Sequence, residues 1–401
     1  RWLEAAGVEV DFPKGGYRGD YIRDIASDID TSGIEPVTAD DVANGLPENT
    51  EENADAFVDA LVARCKGLHG EDGFAKIRQQ SLESIRDEIR EDLEEFGVHF
   101  DEWFSEQSLT KSNRVDDALA VLEERGMLYE KDGATWFPST RFGDDKDRVV
   151  VRDNGVKTYF ASDIAYHFDK RERGYDHLID VLGADHHGYV TRVRGGLEAM
   201  GYEAEDLEVQ FIQFVTLYRS GKRVQMGTRS GQFDTLRQLR EEVGNDAARF
   251  YYVMRSNDQH LDFDLDVATS QSNDNPVYYI QYAHARVASV FRQLGEKSLE
   301  WDAANGRKSL DLLVESQEAA LMTSLSRYPE IVELAAGNRA PQTLVHYLRD
   351  LANDFHTYYN AHAFIVDDAN LRDARLYLIT ATRNVIANGL GILGVSAPEK
   401  M

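Results

Sequence analysis

Apolar residues spaced by three and four run through 53–64 (Ala54, Phe57, Leu61) and again through 74–96 (Ile77, Leu82, Ile85, Ile89, Leu93, Phe96). That spacing lays one apolar stripe along a helix, so two amphipathic helices are expected. Residues 115–129 repeat it with Ala118, Leu122 and Leu128, and Gly126 stands near the helix end. Asp40 to Glu52 is polar and aperiodic and reads as a loop. The pattern then changes. Val149 to Phe160 alternates about Asn154-Gly155, a hairpin signal. Ser162 can cap a helix reaching about Arg173. Leu178 to Leu182 reads as a short strand, 189–200 as helix, and Val209 to Leu217 as another buried strand. Strands alternating with helices imply a parallel sheet with crossovers. After Asp246 the strand signals fade. Pro276 and Pro341 can each open a long helix, and Leu371 to Leu393 forms a third. The expected order is an acidic helical region over 1–140, an α/β segment over 141–244 and a helical bundle over 245–401.

Composition sharpens this outline. No apolar run approaches the roughly 18 residues of a membrane span, so a soluble protein without a membrane partner is expected. The lone Cys65 cannot form an internal disulfide or a cysteine zinc site and fits a reducing cytoplasm. Net charge is −27, split as −19 over 1–140, −2 over 141–260 and −6 over 261–401. Overall acidity argues against a nucleic-acid partner, but Arg219 to Arg240 holds six basic residues against one acid, Asp234. A local basic strip suffices for phosphate contacts, which are short-range at physiological salt.

Three places could carry chemistry. Gly183-Ala184-Asp185-His186-His187-Gly188-Tyr189 lies between an expected strand and an expected helix. Ligands of open α/β sheets bind at the carboxyl ends of strands. There an Asp can accept from ribose hydroxyls, and a Gly lets a nucleoside approach the backbone. Tyr159 and Asp163 stand four apart, where a carboxylate beside a phenol suits a guanidinium. Taken alone, Asp163 also fits a first-turn acid that answers the helix dipole. Gly221 to Gly231 is a Gly-flanked basic loop able to close over a triphosphate, or else a surface hairpin tip. Walker, Gly-x-Gly-x-x-Gly, His-Glu-x-x-His and Gly-x-Ser-x-Gly motifs are absent from the sequence.

Taken in order, these pieces resemble bacterial arginyl-tRNA synthetase. The motifs are Tyr-x-x-x-Asp-Ile-Ala from 159, Gly-Ala-Asp-His-His-Gly-Tyr from 183, Gln-Met-Gly-Thr-Arg-Ser-Gly from 225 and Asp-Ala-Ala-Arg-Phe from 246. Leu-Asp-Phe-Asp-Leu-Asp from 261 and Ser-Asn-Asp-Asn-Pro-Val-Tyr-Tyr-Ile-Gln-Tyr-Ala-His-Ala-Arg from 272 extend the likeness. It begins at Gly-Tyr-Arg-Gly-Asp-Tyr-Ile from 16 and closes at Leu-Gly-Val-Ser-Ala-Pro-Glu-Lys-Met from 393. No single motif is specific; the ensemble is.

The resemblance implies a partial Rossmann-like parallel sheet with an acidic helical insertion, then a helical-bundle domain that binds the tRNA anticodon. It implies a class I ligase that uses ATP with Mg²⁺ to make arginyl adenylate and passes arginine to tRNA, cytoplasmic and monomeric when intact. Tyr159, Asp163 and His186 would meet arginine. Gly183 and Asp185 would meet the ATP ribose. Lys222, Met226 and Arg229 would meet ATP, with no protein-held metal site. Tyr358, Tyr359 and Asn360 sit in an aromatic run on the bundle and would meet tRNA, the aromatic rings stacking on anticodon bases.

Two departures stand out. Gln225 and Thr228 replace the two lysines of the family's Lys-Met-Ser-Lys-Arg loop, leaving Arg229 or Lys222 to supply charge. No His-Ile-Gly-His-like segment occurs, and the first residue is Arg1. The chain therefore reads as lacking an N-terminal domain and half the catalytic machinery, and is expected not to activate arginine alone. Two rival readings follow: a non-catalytic tRNA-binding protein, and an Asp-His-His phosphoesterase with 185–187 as metal ligands. The second would need a Gly-Gly-x-His-type loop that the sequence lacks.

Overall fold

The computed structural model describes residues 1–14, 16–226 and 233–401. The two expected N-terminal helices are joined into α1 (Ala54–Glu95), broken at Gly70, whose φ of 69° only glycine adopts cheaply. Short helices over Asp20–Asp28 and Ala39–Ala43 precede it. The second lies in the stretch expected to be loop. Its start is a capping box, with Asp41 N–H donating to Thr38 Oγ1 (3.2 Å) and Thr38 N–H to the Asp41 carboxylate (3.0 Å). α2 (Arg114–Glu124) buries Val115, Ala118 and Leu122, as its spacing requires.

A three-stranded antiparallel sheet follows: β1 (Tyr129–Lys131), β2 (Ala134–Phe137) and β3 (Arg148–Val151). The β1–β2 turn is Asp132-Gly133, both at positive φ, as a two-residue hairpin demands. The Asn154-Gly155 turn forms too, but its second arm shrinks to the bridge Val151–Lys157. Thr158 ends it: its hydroxyl donates to Val149 O (2.8 Å), and its oxygen accepts from Ala161 N–H at the start of α3 (Tyr159–Glu172). The cap is thus Thr158 rather than Ser162, and Tyr159 and Phe160 are helical.

β4 (Leu178–Gly183) and β5 (Leu207–Ile212) pair in parallel around α4 (Tyr189–Ala199). Val181 on β4 is 65% exposed and Ile179 43%. The apolar run Val209 to Leu217 is two strands in two sheets. β5 stops at Ile212, Gln213 N–H leaves to Asn257 O (2.8 Å), and β6 (Val215–Arg219) starts afresh. β6 pairs antiparallel with β7 (Lys222–Arg223) and parallel with β8 (Leu261–Asp264). β8 lies where only helices were expected. Leu261 and Phe263 are buried while Asp262 and Asp264 alternate with them, a strand period of two.

Between these strands run α5 (Leu236–Val243) and α6 (Asn245–Val253), then α7 (Leu265–Thr269) after β8. The bundle holds α8 (Pro276–Glu296), α9 (Ser316–Ser326), α10 (Tyr328–Gly337), α11 (Pro341–Ala361) and α12 (Ala369–Ile392). Proline opens α8 and α11, where its missing N–H costs nothing. One core joins Leu217, Phe250 and Phe263 to Ile280, Leu348, Phe355 and Ile379, so the β6–β8 sheet and the bundle pack as a unit. Among the described residues, no helix is long and apolar enough to cross a membrane.

Candidate active site and nucleic-acid groove

α3 presents two candidate residues one turn apart. Tyr159, its first residue, is 83% exposed. Asp163 is half-buried. Burial pushes its carboxyl above the usual range, and the charge of His167 and a hydrogen bond from the Tyr189 hydroxyl oppose that shift only in part. Tyr189 is pushed up by burial and by the facing carboxylates of Asp163 and Asp180. Beneath them His167 is buried between two acceptors. Nδ1 lies 2.7 Å from Asp163 O and Nε2 2.7 Å from Asp180 Oδ2, so the ring meets both as a double donor. Lys170 Nζ reaches Asp180 Oδ1 at 2.9 Å. Burial raises the Asp180 carboxyl, but His167 and Lys170 outweigh it and bring it down to about 2. His167 and Asp180 were not singled out from sequence, and Tyr189 only as the end of the Gly183 motif, because the pairs they form span up to 26 residues.

The Gly183 turn lies at the carboxyl end of β4 and leads through Ala184–His186 into α4. A Cβ on Gly183 would sit 2.6 Å from Oδ1 of Asp185, so a side chain there would displace the exposed Asp185 carboxylate from its folded-back position. Asp185 and His186 are exposed and face each other at 3.7 Å. His187 packs on Phe211 with ring centroids 3.9 Å apart. Tyr189, the first residue of α4, lies against α3, its ring 6.4 Å from that of His167. The two sequence-chosen groups therefore meet at Tyr189, the last residue of the Gly183 motif, to which no role of its own was assigned from sequence.

The β6–β7 hairpin turns at Ser220-Gly221, both at positive φ. Its Ser220 N–H donates to Asp266 Oδ2 (2.6 Å). Arg219, in register with Lys222, pairs with Glu242 of α5 (2.6 Å) and with Asp234 (3.5 Å). Lys222 and Met226 are exposed. Arg229 lies outside the described residues. Among those described, no hydrogen bond or ion pair joins Lys222 or Met226 to the Gly183–His186 turn.

On the bundle, Tyr358 is not available to a base. It is fully buried, and its hydroxyl donates to Glu318 Oε1 (2.8 Å), which also pairs with Arg375 (3.0 Å). Tyr358 follows Leu344, Leu348, Leu351 and Phe355 on the buried stripe of α11, which is why it turns inward. Tyr359, about 100° further round the helix, is half-buried, and Asn360 is exposed. The Arg286 guanidinium lies 4.5 Å from the Tyr282 ring and 4.7 Å from that of Tyr359. Around them opens a groove of about 440 Å³ whose lining includes Tyr282, Arg286, Ser289, Arg292, Tyr359 and Lys400. The cations on α8 were missed, although Tyr282, Arg286 and Ser289 share helical spacing.

Residues 47–272 match the family described as "tRNA synthetases class I (R), catalytic domain", and 280–401 match "DALR anticodon binding domain". The arginine–tRNA ligase of Thioalkalivibrio sulfidiphilus is 57% identical over the whole chain, which spans 69% of that protein. The chain belongs to the arginyl-tRNA synthetase family. The arginine–tRNA ligase of Legionella pneumophila strain Philadelphia 1 is 52% identical with the same coverage. A crystal structure of a Campylobacter jejuni protein described as an arginyl-tRNA synthetase superposes with TM-score 0.79 and 28% identity, covering all of this chain and 79% of that one. As an arginyl-tRNA synthetase the chain is an ATP-using class I ligase acting on arginine and tRNA. The α3 site, the Gly183 turn and the β6–β7 hairpin fall within the catalytic match, and the groove falls within the anticodon-binding match.

Proposed function

We propose that Asp163 pairs with the guanidinium of arginine, with Tyr159 on the same helical face and His186 at the edge of the site. The packing of Tyr189 on α3, its ring 6.4 Å from that of His167, carries the reading, because it brings the α3 residues beside the turn at the carboxyl end of β4. Gly183 and Asp185 then take the ATP ribose, and Lys222, Met226 and Arg229 the phosphates. The work of the site is positioning and electrostatic stabilisation of phosphate charge; no side chain acts as nucleophile. Among the described residues no cluster of three or more metal-ligating side chains occurs. Mg²⁺ would accompany the ATP and neutralise charge on its phosphates.

The groove with Arg286, Arg292 and Lys400 takes the anticodon arm, with Tyr359 and Asn360 beside it. Residues 1–140 serve as the acidic insertion, 141–244 as the catalytic segment and 245–401 as the tRNA-binding bundle of a cytoplasmic, monomeric enzyme.

Citrulline tests the arginine assignment, since it keeps the shape of arginine and lacks the charge. Asp163→Asn, in the enzyme that contains this chain, should lower kcat/KM for arginine by about 30-fold or more, the loss for truncating a desolvated charge pair, while barely moving citrulline. An unchanged preference for arginine over citrulline would overturn the assignment.

A further inference from the structure

Beyond α12 the chain runs back across α6 and α8. Ser396 N–H donates to Asp246 Oδ1 (3.0 Å), and its hydroxyl donates to Oδ2. Buried Gln281 on α8 donates to the same carboxylate (2.8 Å) and to Ser396 O (2.9 Å). Three donors thus converge on one acid in the first turn of α6. One turn on, Arg249 Nε reaches Leu393 O at 3.3 Å. Further out, His284 Nδ1 lies 2.9 Å from Pro398 O and Arg292 donates to Glu399 O (3.0 Å), after which Lys400 lines the groove.

A second set of bonds leaves α6 in the other direction. Gly244, at φ 82°, joins α6 to α5, a conformation that side-chain-bearing residues rarely adopt. α5 holds the β6–β7 hairpin through Glu242 and Arg219, the residue in register with Lys222. Groove, terminal segment and Asp246 are therefore joined by hydrogen bonds, α6 to α5 by the chain at Gly244, and α5 to the hairpin by the Glu242–Arg219 ion pair. Spatial continuity does not by itself transmit anything; the bonds must differ between the free and RNA-bound states. The groove meets that condition, because Arg292 both lines it and holds Glu399 O. An RNA phosphate competing for Arg292 acts directly on the segment that ends at Asp246.

We propose that Asp246 is a positioning residue, which through Ser396 couples RNA seated in the bundle groove to the hairpin that carries Lys222. The proposal rests on the groove reading above. It assigns Asp246 no contact with substrate.

The test uses Asp246→Asn, Ser396→Ala and Ser396→Thr in the enzyme that contains this chain. Asp246→Asn and Ser396→Ala should lower kcat for tRNA charging about tenfold, the loss of one charge-assisted hydrogen bond, with tRNA Kd and KM within about twofold of wild type. Ser396→Thr keeps the hydroxyl and should restore the rate. Amide exchange across 215–223 should slow when tRNA binds the wild type, and should not slow in Asp246→Asn although tRNA still binds. Unchanged kcat, a rise in KM at constant kcat, or equal slowing of exchange in wild type and Asp246→Asn would each overturn the proposal. Failure of the groove reading would show separately, as Arg286→Ala leaving tRNA Kd unchanged.

Discussion

Arg286 offers the sharpest probe of how the bundle holds RNA. Its guanidinium stands between two tyrosine rings, at 4.5 and 4.7 Å, and faces a groove shared with Arg292 and Lys400. Each cation that neutralises a phosphate on single-stranded RNA contributes about −0.7 to the slope of log affinity against log salt. Arg286→Ala should therefore flatten that slope by somewhat under one unit. Replacing Arg286, Arg292 and Lys400 together should flatten it by about two. At low salt the single change should cost about 1–3 kcal/mol, or roughly fivefold to 150-fold in Kd, since a charge-assisted contact and a cation–π contact are both lost. Tyr359→Ala makes the contrast. It removes a stacking surface and no charge, so affinity should fall with the slope unchanged. The assay is equilibrium tRNA binding across a salt series. A slope unaltered in the triple variant would mean that the groove does not meet the backbone, and the reading would be wrong.

Three further outcomes are expected. Charge reversal at Lys222 and Arg229 together should slow adenylate formation, followed by pyrophosphate exchange, far more than it changes arginine KM; a change in arginine KM alone would remove the phosphate role. The Asp180 carboxyl is held at about 2 against an ordinary 3.8, so its contribution is fully present above about pH 4 and is lost as pH falls towards 2. Asp180→Asn should accordingly cost up to about 2 kcal/mol of stability at pH 5–7 and little below pH 2, measured by urea unfolding across pH; a constant difference would refute it. Glu318→Gln leaves buried Arg375 without its charge partner and should cost about 3–5 kcal/mol in denaturant unfolding, whereas a loss under 1 kcal/mol would mean that Arg375 finds another partner.

Much of the helical architecture was legible because long amphipathic stripes repeat, and the parallel sheet was legible from strand–helix alternation. The failures have physical causes. Val209 to Leu217 is mostly apolar, although Ile212 and Phe214 are exposed, and hydropathy does not record a change of sheet between Ile212 and Val215. β1 and β2 are three and four residues long, too short for a period to show, and only Asp132-Gly133 marked their turn. Tyr358 could have been placed in the core by counting the α11 stripe three residues past Phe355; local aromatic richness pointed the other way. The α3 residues and the Gly183 turn could each be picked from sequence as chemically apt. That Tyr189 connects them, with His167 and Asp180 beneath, depends on the packing of α3 against α4 and β4, and no spacing encodes it.

The central claim is that this chain contributes the arginine-selecting site of a tRNA ligase at Tyr159 and Asp163. The direct measurement is ATP-dependent charging of tRNA with arginine by the enzyme that contains this chain, alongside its Tyr159→Ala/Asp163→Ala double variant, with tRNA Kd determined for both. The account predicts charging by the wild type, loss of kcat/KM for arginine by at least about a hundredfold in the variant, and unchanged tRNA affinity. Charging by the variant at undiminished kcat/KM would contradict it.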